Sequence, residues 1–161
     1  MKIYLGADHA GFELKEKIKK FLTDQKYDLE DLGNTVFDKD DDYPDFSAKV
    51  ANEVVLTPNS LGILFCGSAQ GACIAANKIK GIRAASVRSE AEAKLARQHD
   101  DVNILCLAGG QQVQQQYKNI GLSPALAKRI VLAWLKSSFS QAARHQRRIN
   151  KIKRIEQKNF W

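Results

Sequence analysis

Apolar positions along this chain follow two periods in turn. Lys2-Ile3-Tyr4-Leu5-Gly6 reads as a short strand. From Gly11 to Asp24 the apolar residues Phe12, Leu14, Ile18, Phe21 and Leu22 recur at close to helical spacing. Residues 27–32 read as a second strand ending at Gly33, and residues 34–43, with Asp38, Asp40, Asp41 and Asp42, read as a polar loop. Pro44 suits the first turn of a helix whose apolar face is Phe46, Val50, Val54 and Val55. Leu61–Cys66 is a near-continuous apolar run, the pattern of a strand buried on both faces. Gly67-Ser68-Ala69-Gln70-Gly71 is a turn, and the spacing after it predicts a helix through Lys80, stopped at Gly81. The pattern then repeats: strand Ile82–Val87, a helix capped by Ser89 and running to about His99, and strand Val102–Leu107. Ala108-Gly109-Gly110 breaks it, and the Gln-rich run Gln111–Gln116 has no clear period. Helices are predicted at Pro124–Lys136 and over 141–158, the latter with an apolar stripe of Ile149, Ile152 and Ile155.

Alternating strands and helices imply a parallel sheet covered on both faces. The expected fold is a Rossmann-like three-layer α/β/α sandwich with a five-stranded parallel sheet and an extended basic C-terminal helix. One domain spans residues 1–161, with no internal repeat and no linker.

Composition narrows the function classes. The 161 residues are 44% hydrophobic and 27% charged, far from a disordered composition. No apolar run approaches the ~18 residues of a membrane span, and the N-terminal stretch turns acidic at Asp8, too early for a signal peptide. Three cysteines, Cys66, Cys73 and Cys106, without Cys-x-x-Cys spacing, argue against a disulfide framework and a zinc site. The cytoplasm is the expected compartment. Charge is uneven: residues 1–110 carry 14 basic and 17 acidic side chains, whereas residues 111–161 carry 11 basic ones and a single acidic one, Glu156. Such a tail suits an anionic ligand or partner. It lacks the aromatic platform that single-stranded nucleic acid uses, since Phe160 and Trp161 are terminal.

Ligands of doubly wound folds bind beyond the carboxyl ends of the strands, where strand order reverses. The turns there carry Asp8-His9-Ala10-Gly11 and Cys66-Gly67-Ser68-Ala69-Gln70-Gly71. Backbone N–H groups and a helix start beside Cys66 should favour anions and lower the thiol's pKa, making it a nucleophile or a general base. The alternative is an inert cysteine filling core space, the reading given to Cys73 and Cys106. The turn is neither a Walker loop nor Gly-x-Gly-x-x-Gly, so a nucleotide site is poorly supported. His9, His99 and His145 show no metal-ligand spacing. Arg144 and Arg148, four residues apart, share a helix face and could clamp a phosphate, with Lys151 in register.

Taken together, Gly6-Ala7-Asp8-His9-Ala10-Gly11, Asp42-Tyr43-Pro44, Ile63-Leu64-Phe65-Cys66-Gly67-Ser68, Ile74-Ala75-Ala76-Asn77-Lys78, Gly81-Ile82-Arg83, Arg97-Gln98-His99 and Arg144-His145-Gln146 resemble the type B ribose-5-phosphate isomerase family, which includes galactose-6-phosphate and allose-6-phosphate isomerases. The resemblance implies an aldose–ketose isomerase of the pentose phosphate pathway that needs no metal or other cofactor and works through an enediolate. It implies Cys66 as the base, His99 as proton donor in ring opening, and Ser68 where the family usually has Thr. Asp8, His9, Tyr43 and Asp100 would contact the sugar. Gly67, Ala69, Gln70 and Gly71 would line the enediolate, and Arg144 and Arg148 would hold the phosphate. It also implies a homodimer, or a tetramer, with shared sites, the tail 141–161 packing on a partner; neither nucleic acid nor membrane is an expected partner. Departures from the family pattern are Ala69 for a Gly, Asp100 for an Asn, and Ala108-Gly109-Gly110-Gln111 for a Gly-x-Arg, with extra residues from Gln112 to about Pro124. Lys118 is the candidate stand-in for that arginine. The departures leave a six-carbon sugar phosphate as the alternative substrate. A non-catalytic module with an anion-binding or nucleic-acid-binding tail is the alternative from another class.

Overall fold

A computed structural model describes residues 1–110 and 120–159. The Gln-rich run, Lys118, Phe160 and Trp161 lie outside the described residues. Five parallel strands, β1 (Lys2–Ala7), β2 (Asp28–Asp31), β3 (Leu61–Cys66), β4 (Ala84–Ser86) and β5 (Ile104–Ala108), form a sheet of order β2-β1-β3-β5-β4. The six helices of the described residues are α1 (Phe12–Asp24), α2 (Tyr43–Leu56), α3 (Gln70–Ala76), α4 (Glu90–Asp100), α5 (Pro124–Leu135) and α6 (Ala143–Asn159).

Pleating sends alternate residues of each strand to opposite faces, which gives two cores. Ile3, Leu5, Ile63, Phe65, Leu105 and Leu107 pack with Leu14 and Ile18 of α1 and Trp134 of α5. Tyr4, Leu64, Cys66, Ile104 and Cys106 pack with Val50 and Val54 of α2 and Ala72 of α3. All six β3 positions are buried, as the unbroken apolar run requires. Ser89 and Ser123 cap α4 and α5, accepting from the N–H groups of Glu92 and Leu126.

The helix expected through Lys80 ends at Ala76. Asn77 takes over: its Nδ2 donates to the Ala84 carbonyl and its Oδ1 accepts from the Ala84 N–H, both at 2.9 Å. This bridge satisfies the start of edge strand β4, and Gly81 turns the chain at φ +89°. β4 is correspondingly shorter than the expected Ile82–Val87.

Candidate active site

Strand order reverses between β1 and β3, and two turns meet at that rim. The close approach depends on Gly11, where a Cβ would lie 2.2 Å from the Phe65 carbonyl carbon. Asp8 thereby reaches Cys66, whose Sγ donates to Asp8 Oδ2 at 3.0 Å, while Asp8 Oδ1 accepts from the Gly11 N–H at 2.9 Å. Both side chains are buried.

Electrostatics here reverse one expectation. Burial, reinforced by the Asp8 carboxylate and its hydrogen bond, pushes the Cys66 thiol up to about 12. The N–H groups of Gly67 and Ala72 act in the opposite direction and lose. Cys66 is therefore a neutral thiol near pH 7, not the thiolate that its place before a glycine turn suggests. Asp8 is also raised, because burial outweighs the stabilising hydrogen bonds from Cys66 and Gly11.

The rest of the rim closes around this pair. Ala69 adopts φ +68°, a left-handed conformation that favours glycine, where the resembled family has one. The Gln70 N–H donates to Ser68 Oγ at 3.5 Å. A Cβ on Gly71 would sit 2.5 Å from the Tyr43 ring, so Tyr43 lies directly against the turn. Gly109 N–H donates to the Cys66 carbonyl at 2.8 Å and Gly110 N–H to that of Gly67 at 2.9 Å, tying the end of β5 to the same turn. His9 bonds through both its N–H and its Nδ1 to Asp41. Asp8, His9, Tyr43, Cys66 and the turn Gly67–Gly71 thus share one edge of the sheet.

His99, Asp100, Arg144 and Arg148 form a second cluster. The His99 and His145 rings lie 4.1 Å apart. Ser140 Oγ bonds His145 Nδ1 at 2.7 Å, and Arg144 Nε donates to His145 Nε2 at 3.0 Å. Burial, then His99, Arg144 and Arg148, hold His145 below its ordinary value, and Asp100 opposes them. His145, given no role from sequence, is the centre of this group; its place between two of the tail's arginines was the available signal. The cluster stands at the other end of the strands. Arg83 Nε, just before β4, bonds the Asp100 carbonyl, and Arg83 N–H bonds Asn103 Oδ1 just before β5. Gly62, level with Ile104 at that end, precedes Cys66 by roughly 13 Å of strand. One chain therefore does not bring Cys66 together with His99 or the two arginines.

Sequence reasoning also missed Lys15, Asn34 and Asp41. Lys15 is fully buried and bonds Asp31 at 2.9 and 2.7 Å. Burial alone would raise Asp31, but Lys15 and Lys19 hold its carboxyl below the usual range. Lys15 stands three residues before Ile18 on the apolar face of α1, and a cation there demands a buried anion. Asn34 and Asp41 left no such signal in a polar loop. Among the described residues no three of His, Cys, Asp and Glu group to hold a metal ion. No helix among them is long and apolar enough to cross a membrane.

A five-stranded doubly wound sheet with an acid–thiol pair at its switch point defines an α/β protein built to act on a small molecule. The chain belongs to the Ribose/Galactose Isomerase family, whose model matches residues 3–152. It is 40% identical to ribose-5-phosphate isomerase B of Mycobacterium tuberculosis, over 97% of this chain and 90% of that one. The crystal structure of ribose-5-phosphate isomerase B from Mycoplasma genitalium with bound ribulose-5-phosphate superposes with a TM-score of 0.87. The match has 42% identity and covers 98% of this chain and 97% of the other. The Clostridium thermocellum ribose-5-phosphate isomerase B also gives 0.87, at 40% identity, over 98% and 99% of the two chains.

Proposed function

We propose that this chain interconverts D-ribose 5-phosphate and D-ribulose 5-phosphate. The observation that carries the reading is the Cys66–Asp8 pair at the switch-point rim, in a chain 42% identical to a protein whose structure holds ribulose-5-phosphate.

The neutral thiol decides how the chemistry starts. A base next to a carbonyl must be ionised when it acts, so the Cys66 proton passes first to Asp8 Oδ2, already its hydrogen-bond acceptor. The thiolate removes the proton from C2 of the open-chain aldose. The C–H electrons form the C1=C2 bond, and O1 takes the negative charge. A proton passes from the C2 hydroxyl to O1, the C2 carbonyl forms, and Cys66 delivers its proton to C1. Asp8 then returns the first proton to sulfur. Backbone N–H groups of the turn Gly67–Gly71 and the Ser68 hydroxyl stabilise the developing oxyanion.

The phosphate belongs to the other cluster. Arg144 and Arg148 offer planar guanidinium forks one helical turn apart, and His99 beside them serves ring opening. Since these groups lie at the far end of the strands from Cys66, a complete site takes both ends from two copies of the chain. The working enzyme is therefore a homodimer with sites shared across the interface, acting in the cytoplasm within the pentose phosphate pathway.

Incubation with ribose 5-phosphate, allose 6-phosphate and galactose 6-phosphate tests the reading. Turnover of ribose 5-phosphate to ribulose 5-phosphate is expected, and Cys66→Ala should lower kcat by about a thousandfold. Turnover confined to a six-carbon substrate would contradict the pentose assignment. Activity of Cys66→Ala within a few-fold of the parent would contradict the assignment of the base.

A further inference from the structure

Two cysteines that the chemistry above leaves unused touch each other behind the catalytic turn. Cys73 stands in the middle of α3 and is half-buried, whereas Cys106 of β5 is sealed in the core. The Cys106 thiol donates a hydrogen bond to the Cys73 sulfur. The N–H of Ser86, level with Cys106 on the neighbouring strand, donates to the same sulfur. Asn77 Nδ2 approaches it at 3.7 Å. The Cys73 thiol itself donates to the Ala84 carbonyl at 3.3 Å.

Three donors around one sulfur stabilise an anion there. The bond from Cys106 outweighs burial and, with the Ser86 N–H, brings the Cys73 thiol down to about 7. Burial, and after it Cys73, hold Cys106 well above its ordinary value, so one sulfur of the pair ionises and the other keeps its proton. Ionisation orphans no group, because the Ala84 carbonyl still accepts from Asn77 Nδ2 at 2.9 Å. A cysteine that merely fills core space is sealed in hydrocarbon. That description fits Cys106 but not Cys73, which solvent reaches and which gathers donors.

We propose that Cys73 is a modification site for peroxides and Cys106 its resolving thiol, the two closing a disulfide between α3 and β5. The Cys73 thiolate attacks one peroxide oxygen. The S–O bond forms, the O–O bond breaks and hydroxide or alkoxide leaves, so sulfur is oxidised to a sulfenic acid and the peroxide is reduced. The Cys106 sulfur then attacks the Cys73 sulfur. The S–S bond forms, the S–O bond breaks, and the departing hydroxide carries the Cys106 proton away as water. The new bond draws α3 toward the sheet. The Cys73 N–H is bonded to the Ala69 carbonyl at 3.1 Å, and the Ala72 N–H is bonded to Cys66. The turn Gly67–Gly71 therefore moves with the helix, and isomerisation slows. The modification does not rest on the isomerase reading, but its effect on turnover does.

Hydrogen peroxide applied to the full chain near neutral pH tests this, with mass spectrometry and turnover of ribose 5-phosphate read together. The parent should lose two hydrogens in mass and yield a peptide pair linked through Cys73 and Cys106. Its turnover should fall by about tenfold or more, and dithiothreitol should reverse both changes. Cys106→Ala should stop at a sulfenic acid on Cys73, which dimedone traps. Cys73→Ser, a change of one atom at a half-buried position, should form neither product and keep its turnover through the same treatment. Absence of the linked peptides from the parent, or oxidation of Cys66 ahead of Cys73, overturns the proposal. Linked peptides with unchanged turnover overturn the coupling to the catalytic turn. A parent inactive on ribose 5-phosphate would sink the isomerase reading alone, because the linked peptides still decide the modification.

Discussion

Cys66 shows how far the identity of a residue can mislead about its state. Its sequence neighbours are glycines and a helix start, which favour an anion. Burial, and after it the carboxylate of Asp8, 58 residues away, push the opposite way and win. The shift has a consequence for stability. The thiol rises from an ordinary 9.0 to about 12 in the fold, so the unfolded chain loses this proton first. The contribution is fully present below pH 9 and is lost as pH rises from 9 through about 12. Melting curves should therefore show the midpoint of the parent falling more steeply between pH 8.5 and 10.5 than that of Cys66→Ala. Equal slopes would mean that the thiol is not suppressed. Candidate residues such as Asp8 and Cys66 were legible because they stand next to turns at strand ends, whereas Tyr43, the first residue of α2, was named only through the family resemblance. Asp41 and Asn34 were not, because nothing in a run of acidic loop residues marks the one that turns inward.

At the scale of elements, the strands were the most legible part. Leu61–Cys66 and β5 carry no polar side chain, and a run of that length ending at a glycine has few other homes. The end of α3 was less so. Helical spacing continues past Ala76, and only the distant Ala84, bonded at both its N–H and its carbonyl by Asn77, explains why the helix does not. The join between β1 and α1 carries the site's geometry. Gly11 lies so close to the β3 backbone that a Cβ would fall 2.2 Å from it, and backbone cannot step aside as a flexible side chain can. Gly11→Ala should cost about 3 kcal/mol in denaturant unfolding. It should also pull Asp8 away from Cys66, so that activity falls even where the variant is fully folded. A variant with the parent's stability and kcat would show that this close approach is dispensable.

The whole molecule has two chemical ends. One edge of the sheet gathers the thiol, the carboxyl and the glycine turn. The opposite edge gathers His99, His145 and the arginines of α6, at the start of a helix whose side chains stay largely exposed beyond Ile149. The charge asymmetry of the sequence anticipated this division, since the basic excess lies wholly after residue 110. It could not say which end of the sheet the tail would reach, because that depends on where α4 delivers His99. Two copies arranged so that one chain's arginines meet the other's Cys66 unite the halves, and that arrangement is the centre of the account. Mixing two inactive variants tests it most directly. Cys66→Ala and Arg148→Ala, unfolded together and refolded at equal amounts, should regain about a quarter of the parent's activity, because half the dimers are mixed and each mixed dimer holds one intact site. No recovery, with mixed dimers demonstrated by mass, would show that each chain builds its site alone and would contradict the account.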